Sequence, residues 1–229
     1  MKSTDPYGNL PGGKKSVICV LAILMMMFLA DPTSAMADKV SYTAWREGSA
    51  AGETTIFNVV SEGTTYTGTC ARQGVAMSPS GTASVSKISN NSKVAKLVYH
   101  YAIELGGSNW WTSGHKTDKV GTILGMPSDD ATNVTKRAMI ECFCQIYNMG
   151  ASSWYSTITN PNSGGMATDT AARIRDFYQN EDVSNITVPG GFEIWYADAG
   201  NAQPFILWAY NPVGYVKVKK KSGGTSITG

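Results

Sequence analysis

Few side chains in this sequence could do covalent chemistry: Cys70, Cys142 and Cys144, the histidines His100 and His115, and Gln203 in the stretch NAQPFIL, residues 201–207. A thiol held against a carboxamide can attack its carbonyl carbon and expel ammonia, which leaves an acyl thioester far more reactive than the amide it replaces. A thiol beside an imidazole would instead give the nucleophile and base of a thiol peptidase. Cys142 and Cys144 stand two apart on a segment with helical periodicity, where side chains diverge by about 200°, so they do not bridge one another. Either could pair with Cys70, or both could simply be buried core thiols, the simpler reading.

The elements that must position these groups follow from the patterning. Residues 40–85 alternate and are rich in Thr, Tyr, Val and Gly, with Ser61-Glu62-Gly63-Thr64 as a hairpin turn between two strand-like runs. Cys70 ends the second run. The stretch SKVAKLVYHYAIELGG, closed by Gly106-Gly107, has helical or mixed periodicity, and a loop with Trp110, Trp111 and His115 follows. The clearest helix lies in VTKRAMIECFCQIYNMG: Asn133 or Thr132 caps it, Ala138, Met139, Cys142, Phe143, Ile146 and Tyr147 form its apolar face, and Gly150 stops it. A shorter helix covers 169–180. Strand character returns in GGFEIWYADAG and AQPFILWAY, and GYVKVKKKS reads as one more strand after Pro212.

Pro204 forces Gln203 into extended geometry and cannot donate to a ladder, which puts Gln203 at a strand start or on a sheet edge. Cys70 and Gln203 are 133 positions apart, a separation that the early and late strands of one sheet can close. The order β, α, β predicts an α+β fold, an antiparallel β-sandwich or barrel-like sheet with an inserted helical subdomain.

Lys14-Lys15, the apolar run 16–30 and Ala35-Met36-Ala37 read as a secretory signal over 1–37. The run of 15 residues is short beside the roughly 20 that span a bilayer. Beyond the signal, 16 basic and 15 acidic residues remain, and four of the lysines lie at 217–221. No basic stripe suits nucleic acid. Two histidines and a C-x-C do not compose a metal site, and no cofactor-binding motif is present. Three cysteines after the signal is an odd number for an oxidising compartment, so at least one thiol needs another role.

The combination resembles the thioester domains at the tips of Gram-positive surface adhesins, in which a strand-borne Cys and a late Gln cross-link. The family's first motif is an aromatic or aliphatic residue, Cys and an apolar residue, here Thr69-Cys70-Ala71, so Thr69 departs. Its late motif, apolar-Gln-x-x-apolar, matches Ala202-Gln203-Pro204-Phe205-Ile206. Its helical T-Q-x-A motif corresponds to Thr135-Lys136-Arg137-Ala138, with Lys136 in place of Gln. The resemblance covers about 40–210. The segment from Gly214 to Lys220 resembles the first strand of prealbumin-like stalk repeats, in which Lys220 would form an isopeptide bond with a downstream Asn.

The resemblance implies a signal peptide over 1–37, a thioester-type domain over 38–212, and the start of a β-sandwich stalk repeat over 213–229. It implies a secreted, wall-attached adhesin tip, monomeric on its stalk and reaching the membrane only through its signal or a downstream anchor. Such a tip is not an enzyme and needs no cofactor or metal. Its Cys70–Gln203 thioester would be opened by amines on a host surface protein, within a water-poor pocket built from Tyr66, Trp195, Tyr196, Phe205 and Trp208. Two other readings stand beside it: the same fold binding non-covalently without the thioester, and a secreted thiol peptidase pairing Cys70 with a histidine.

Overall fold

Alternation of apolar and polar residues draws four strands from the N-terminal part of the chain: β1 (Lys39–Glu47), β2 (Thr54–Ser61), β3 (Thr64–Cys70) and β4 (Ser80–Lys87). In β1, Val40 and Tyr42 are buried while Ser41 and Thr43 are exposed, as a pleat with one face on a core requires. The β2–β3 hairpin turns where expected. Glu62 (φ 50°) and Gly63 (φ 75°) both lie in the left-handed region, the signature of a two-residue type I′ turn whose twist suits the flanking strands. The computed structural model describes residues 36–47, 54–104, 135–212, 220–222 and 225–227.

Two later strands, β5 (Phe192–Asp198) and β6 (Phe205–Tyr210), complete the sheet. All pairings are antiparallel, the order is β1-β2-β3-β6-β5-β4, and β4 returns to β1. The fold is therefore α+β with a closed, barrel-like sheet. Closure leaves no edge, so the edge alternative for Gln203 falls away. Gln203 lies two residues before β6, which is hydrogen-bonded on both sides, to β3 and β5.

The barrel is filled by side chains. Phe57 stacks on Phe205 (centroids 4.1 Å apart, planes 5° apart), with Tyr42 tilted against both at 5.6 and 4.8 Å. Outside the barrel, Ala71, Phe192, Ile194, Ile206 and Trp208 join a second core made with the helices. β6 is buried on both faces, which is why FILWAY reads as an uninterrupted apolar run.

The helices fall between β4 and β5 in the chain: α1 (Lys93–Val98), which passes into a π-helical segment (Tyr99–Glu104), then α2 (Lys136–Met149), α3 (Ala151–Ile158) and α4 (Thr168–Asn180). Ser92 caps α1 by accepting the Ala95 N–H. Thr135 caps α2, its hydroxyl accepting the Ala138 N–H at 3.1 Å, whereas the expected caps Thr132 and Asn133 lie outside the described residues. Gly150, at φ 78°, ends α2, and α3 begins at once; its Ser- and Thr-rich sequence gave no helical signal. The α2 face differs in one respect from the expectation: Tyr147 is 42% exposed, because the buried arc turns through Met139, Ile140, Phe143 and Ile146 and leaves Tyr147 at its margin.

The signal region up to residue 35, the Gly106-Gly107 stop, Trp110, Trp111, His115 and residues 213–219 of the expected last strand lie outside the described residues. Met36, which cleavage after Ala37 would remove, packs into the barrel core. Lys220 opens a short strand, β7 (Lys220–Ser222), paired with β8 (Thr225–Ile227) and opposite Ile227. Among the described residues, no helix is long and apolar enough to cross a membrane.

Candidate functional site

Cys70 and Gln203 come together where β3 and β6 pair. Cys70 stands opposite Phe205 in the ladder, and the next rung is fixed by the Ala71 N–H donating to the Pro204 carbonyl at 2.9 Å. Gln203 precedes Phe205 by two residues, just outside the strand. Cys70 and Gln203 are buried, at 4% and 6% exposure, and both line one cavity of about 780 Å³.

Gln203 is anchored through its backbone and through its side chain. Its backbone N–H donates to the Ala76 carbonyl at 3.1 Å, and its side-chain Nε2 donates to the Arg72 carbonyl. The second bond fixes which amide atom faces the backbone and holds the nitrogen that would leave in an attack on the carbon. Pro204 completes the constraint by stiffening the residue that precedes it.

The cavity has a polar wall that the sequence reading did not anticipate. Glu141 of α2 projects into it, half-buried, and accepts the Thr69 hydroxyl at 2.8 Å and the Thr55 N–H at 3.2 Å on Oε2. Gln145, one turn on, donates to Glu141 Oε1 at 3.1 Å and to Gln73 Oε1 at 3.3 Å, while Trp154 Nε1 donates to Gln145 Oε1 at 2.9 Å. Gln73 in turn donates to the Ser163 carbonyl at 2.6 Å. This chain of bonds ties α3 and α2 to the ends of β2 and β3 and leaves the carboxylate little freedom.

Cys70 and Glu141 line the same cavity together with Thr55, and the Glu141 carboxylate bonds the hydroxyl of Thr69, the residue that precedes Cys70. Burial, reinforced by the Glu141 charge, pushes the thiol well above its usual range, so the resting sulfur is protonated. Burial also raises the Glu141 carboxyl to about 7, against the opposing pull of its bonds from Thr69 and Thr55 and of the nearby Arg46 cation.

Of the five aromatic residues expected to wall the pocket, none lines this cavity. Strand alternation sends Tyr66, Trp195 and Phe205 into the barrel core and Trp208 into the helical core, while Tyr196 lines a separate cavity of about 740 Å³ with Arg72 and Pro204. Tyr66 donates its hydroxyl to Glu193 at 2.7 Å. Phe205 alone of the five is beside the site, opposite Cys70 in the ladder. The helical motif 135–138 does reach it: Thr135 caps α2 and Ala138 lines the cavity.

Cys142 and Cys144 are buried and free, as is Cys70; burial raises all three thiols. His100 pairs with Glu104 at 2.6 Å on the π-helical segment and does not line the Cys70 cavity, so no Cys70–His100 dyad forms. Among the described residues, no cluster of His, Cys, Asp and Glu could hold a metal. The residues that sequence reasoning missed are Glu141, Gln145, Gln73 and Thr55. The available signal was Glu141 and Gln145 at i and i+4, two polar positions beside the apolar stripe of a helix.

Comparison of the chain with family models, with curated proteins and with solved structures gives no match.

Proposed function

We propose that this chain is a surface-adhesin tip domain that attaches covalently through an internal thioester between Cys70 and Gln203. The observation that carries the reading is the meeting of a buried thiol and an anchored carboxamide in one cavity, on two hydrogen-bonded strands. In the cross-linking step the sulfur of Cys70 bonds to the side-chain carbonyl carbon of Gln203, the carbon–nitrogen bond breaks, and the nitrogen departs as ammonia with the thiol proton. The step needs sulfur and carbonyl carbon brought to about 3–3.5 Å, and strand backbones hold groups in place better than loops do. The thioester is then opened by a primary amine such as a lysine of a host surface protein, which leaves an amide and returns the thiol. Each molecule reacts once, so the domain modifies itself and its target without turnover.

In this reading the helices between β4 and β5 form an inserted subdomain whose α2 closes the cavity over the sheet. The signal at 1–37 directs export, and the strand containing Lys220 begins the stalk that carries the tip away from the wall.

Intact mass tests the reading. The purified chain should weigh about 17 Da less than its sequence requires, the mass of one ammonia, and Cys70→Ala and Gln203→Ala should each remove the deficit. Methylamine should restore mass at Gln203 of the parent alone. A parent with no deficit and no amine uptake leaves only a non-covalent binding module. Proteolysis that iodoacetamide abolishes would favour the peptidase instead.

A further inference from the structure

A protonated, buried thiol is a poor nucleophile, and an amide nitrogen does not leave as a bare anion, so the cross-link needs one group that can take a proton and give it back. Among the described residues, the cavity that Cys70 and Gln203 line holds one carboxylate, Glu141. We propose that Glu141 is the proton shuttle of the Cys70–Gln203 reaction, a role that rests on the thioester reading above. As sulfur attacks the Gln203 carbonyl carbon, the Glu141 carboxylate receives the thiol proton; as the carbon–nitrogen bond breaks, the same proton passes to the nitrogen, and neutral ammonia leaves. The carboxylate ends as it began, and no oxidant or reductant is consumed. In the return direction it takes a proton from the attacking amine and delivers it to the departing sulfur.

The geometry favours this role over a structural one. Glu141 is held by the hydroxyl of Thr69, the residue next to Cys70, and by the Thr55 N–H, and these bonds fix its carboxylate in the cavity that Cys70 and Gln203 also line. The Thr69 bond also gives a reason for the polar residue that precedes Cys70: its hydroxyl orients the base. Glu141 lines the cavity together with Cys70 and Gln203. A carboxyl raised to about 7 is matched to proton transfer in both directions near neutral pH. The titratable and charged groups facing it are Cys70 from β3, Arg46 from β1, and Cys142 and Cys144 on its own helix. Burial raises the two helix thiols, so the titration near neutrality belongs to Glu141.

The test compares the parent with Glu141→Gln. Timed cell-free synthesis, acid quench and intact mass give the rate of ammonia loss, which should fall by about 10²-fold or more in the variant. Where the variant does link, methylamine opening is followed from about pH 5 to about pH 9. Ionisation of the amine cancels in the parent-to-variant rate ratio, which should rise through about 7 as Glu141 loses its proton. A merely structural Glu141 would give a flat ratio. Equal rates of ammonia loss, or a flat ratio, overturn the proposal. If Glu141→Gln does not fold, Glu141→Asp replaces it and must link more slowly than the parent; parent-like linking, or none in a folded protein, overturns the proposal. A parent that never loses ammonia overturns the thioester reading itself, an outcome distinct from all of these.

Discussion

Gly68 is where the pairing of the two reactive strands can be broken most directly. It lies in β3 opposite Leu207, two residues before Cys70. A Cβ built on it would fall 1.7 Å from the Ile206 carbonyl oxygen, 2.7 Å from that carbonyl carbon and 2.8 Å from the Leu207 Cα, whereas real Cβ atoms keep about 3.0 Å or more. All three neighbours are backbone, so no rotamer change relieves the clash, and β3 and β6 must part by about 1.3 Å at that point. Overpacking of this kind costs about 1–3 kcal/mol, and weakened ladder bonds add about 1 kcal/mol. Gly68→Ala should therefore lose about 3 kcal/mol, a fall of roughly 6–12 °C in Tm for a domain of this size. The Cys70–Gln203 approach depends on the same rung, and a displacement of about 1 Å costs about 10²-fold in rate. Gly81→Ala is the control, because its Cβ would meet only the Tyr42 ring, at 3.0–3.2 Å, across the β4–β1 pair. Thermal unfolding and timed intact mass read both effects. A Gly68→Ala protein that melts with the parent and loses ammonia at the parent's rate would refute the register on which the site has been built.

Two further predictions concern the polar wall of the cavity. The folded-state carboxyl of Glu141 is raised from 4.5 to about 7, so the folded protein binds the extra proton between those values. Its contribution is therefore most favourable below pH 4.5 and is lost as pH rises through 7. The stability of the parent relative to Glu141→Gln should fall by about 2–3 kcal/mol across that window, some solvent screening included, and urea unfolding at several pH values measures it; a pH-independent difference refutes the shift. Trp154 is fully buried and donates to Gln145, so Trp154→Phe leaves the Gln145 carbonyl oxygen without that donor. The expected cost is about 1–3 kcal/mol, or roughly 2–12 °C in Tm, with slower ammonia loss as Glu141 loses support; unchanged melting and linking would show that the network does not hold the carboxylate.

The sequence by itself determined what local rules govern. The β2–β3 hairpin follows from Glu62-Gly63, the strands from period-two alternation, and the body and end of α2 from its apolar spacing and Gly150, because turn chemistry and burial patterns act within a few residues. Cys70 at a strand end and Gln203 fixed by Pro204 were legible for the same reason. Only the tertiary structure decided the rest. Closure of the sheet makes β6 an interior strand and disperses the expected aromatic pocket wall, with Tyr66, Trp195 and Phe205 in the barrel core and Trp208 in the helical core, because facing is set by which strands pair and that choice depends on distant residues. Glu141 was invisible as a site residue: in sequence it is one charge in a helix, and only folding sets it in the cavity with Cys70 and Gln203 and, by burial, raises its carboxyl.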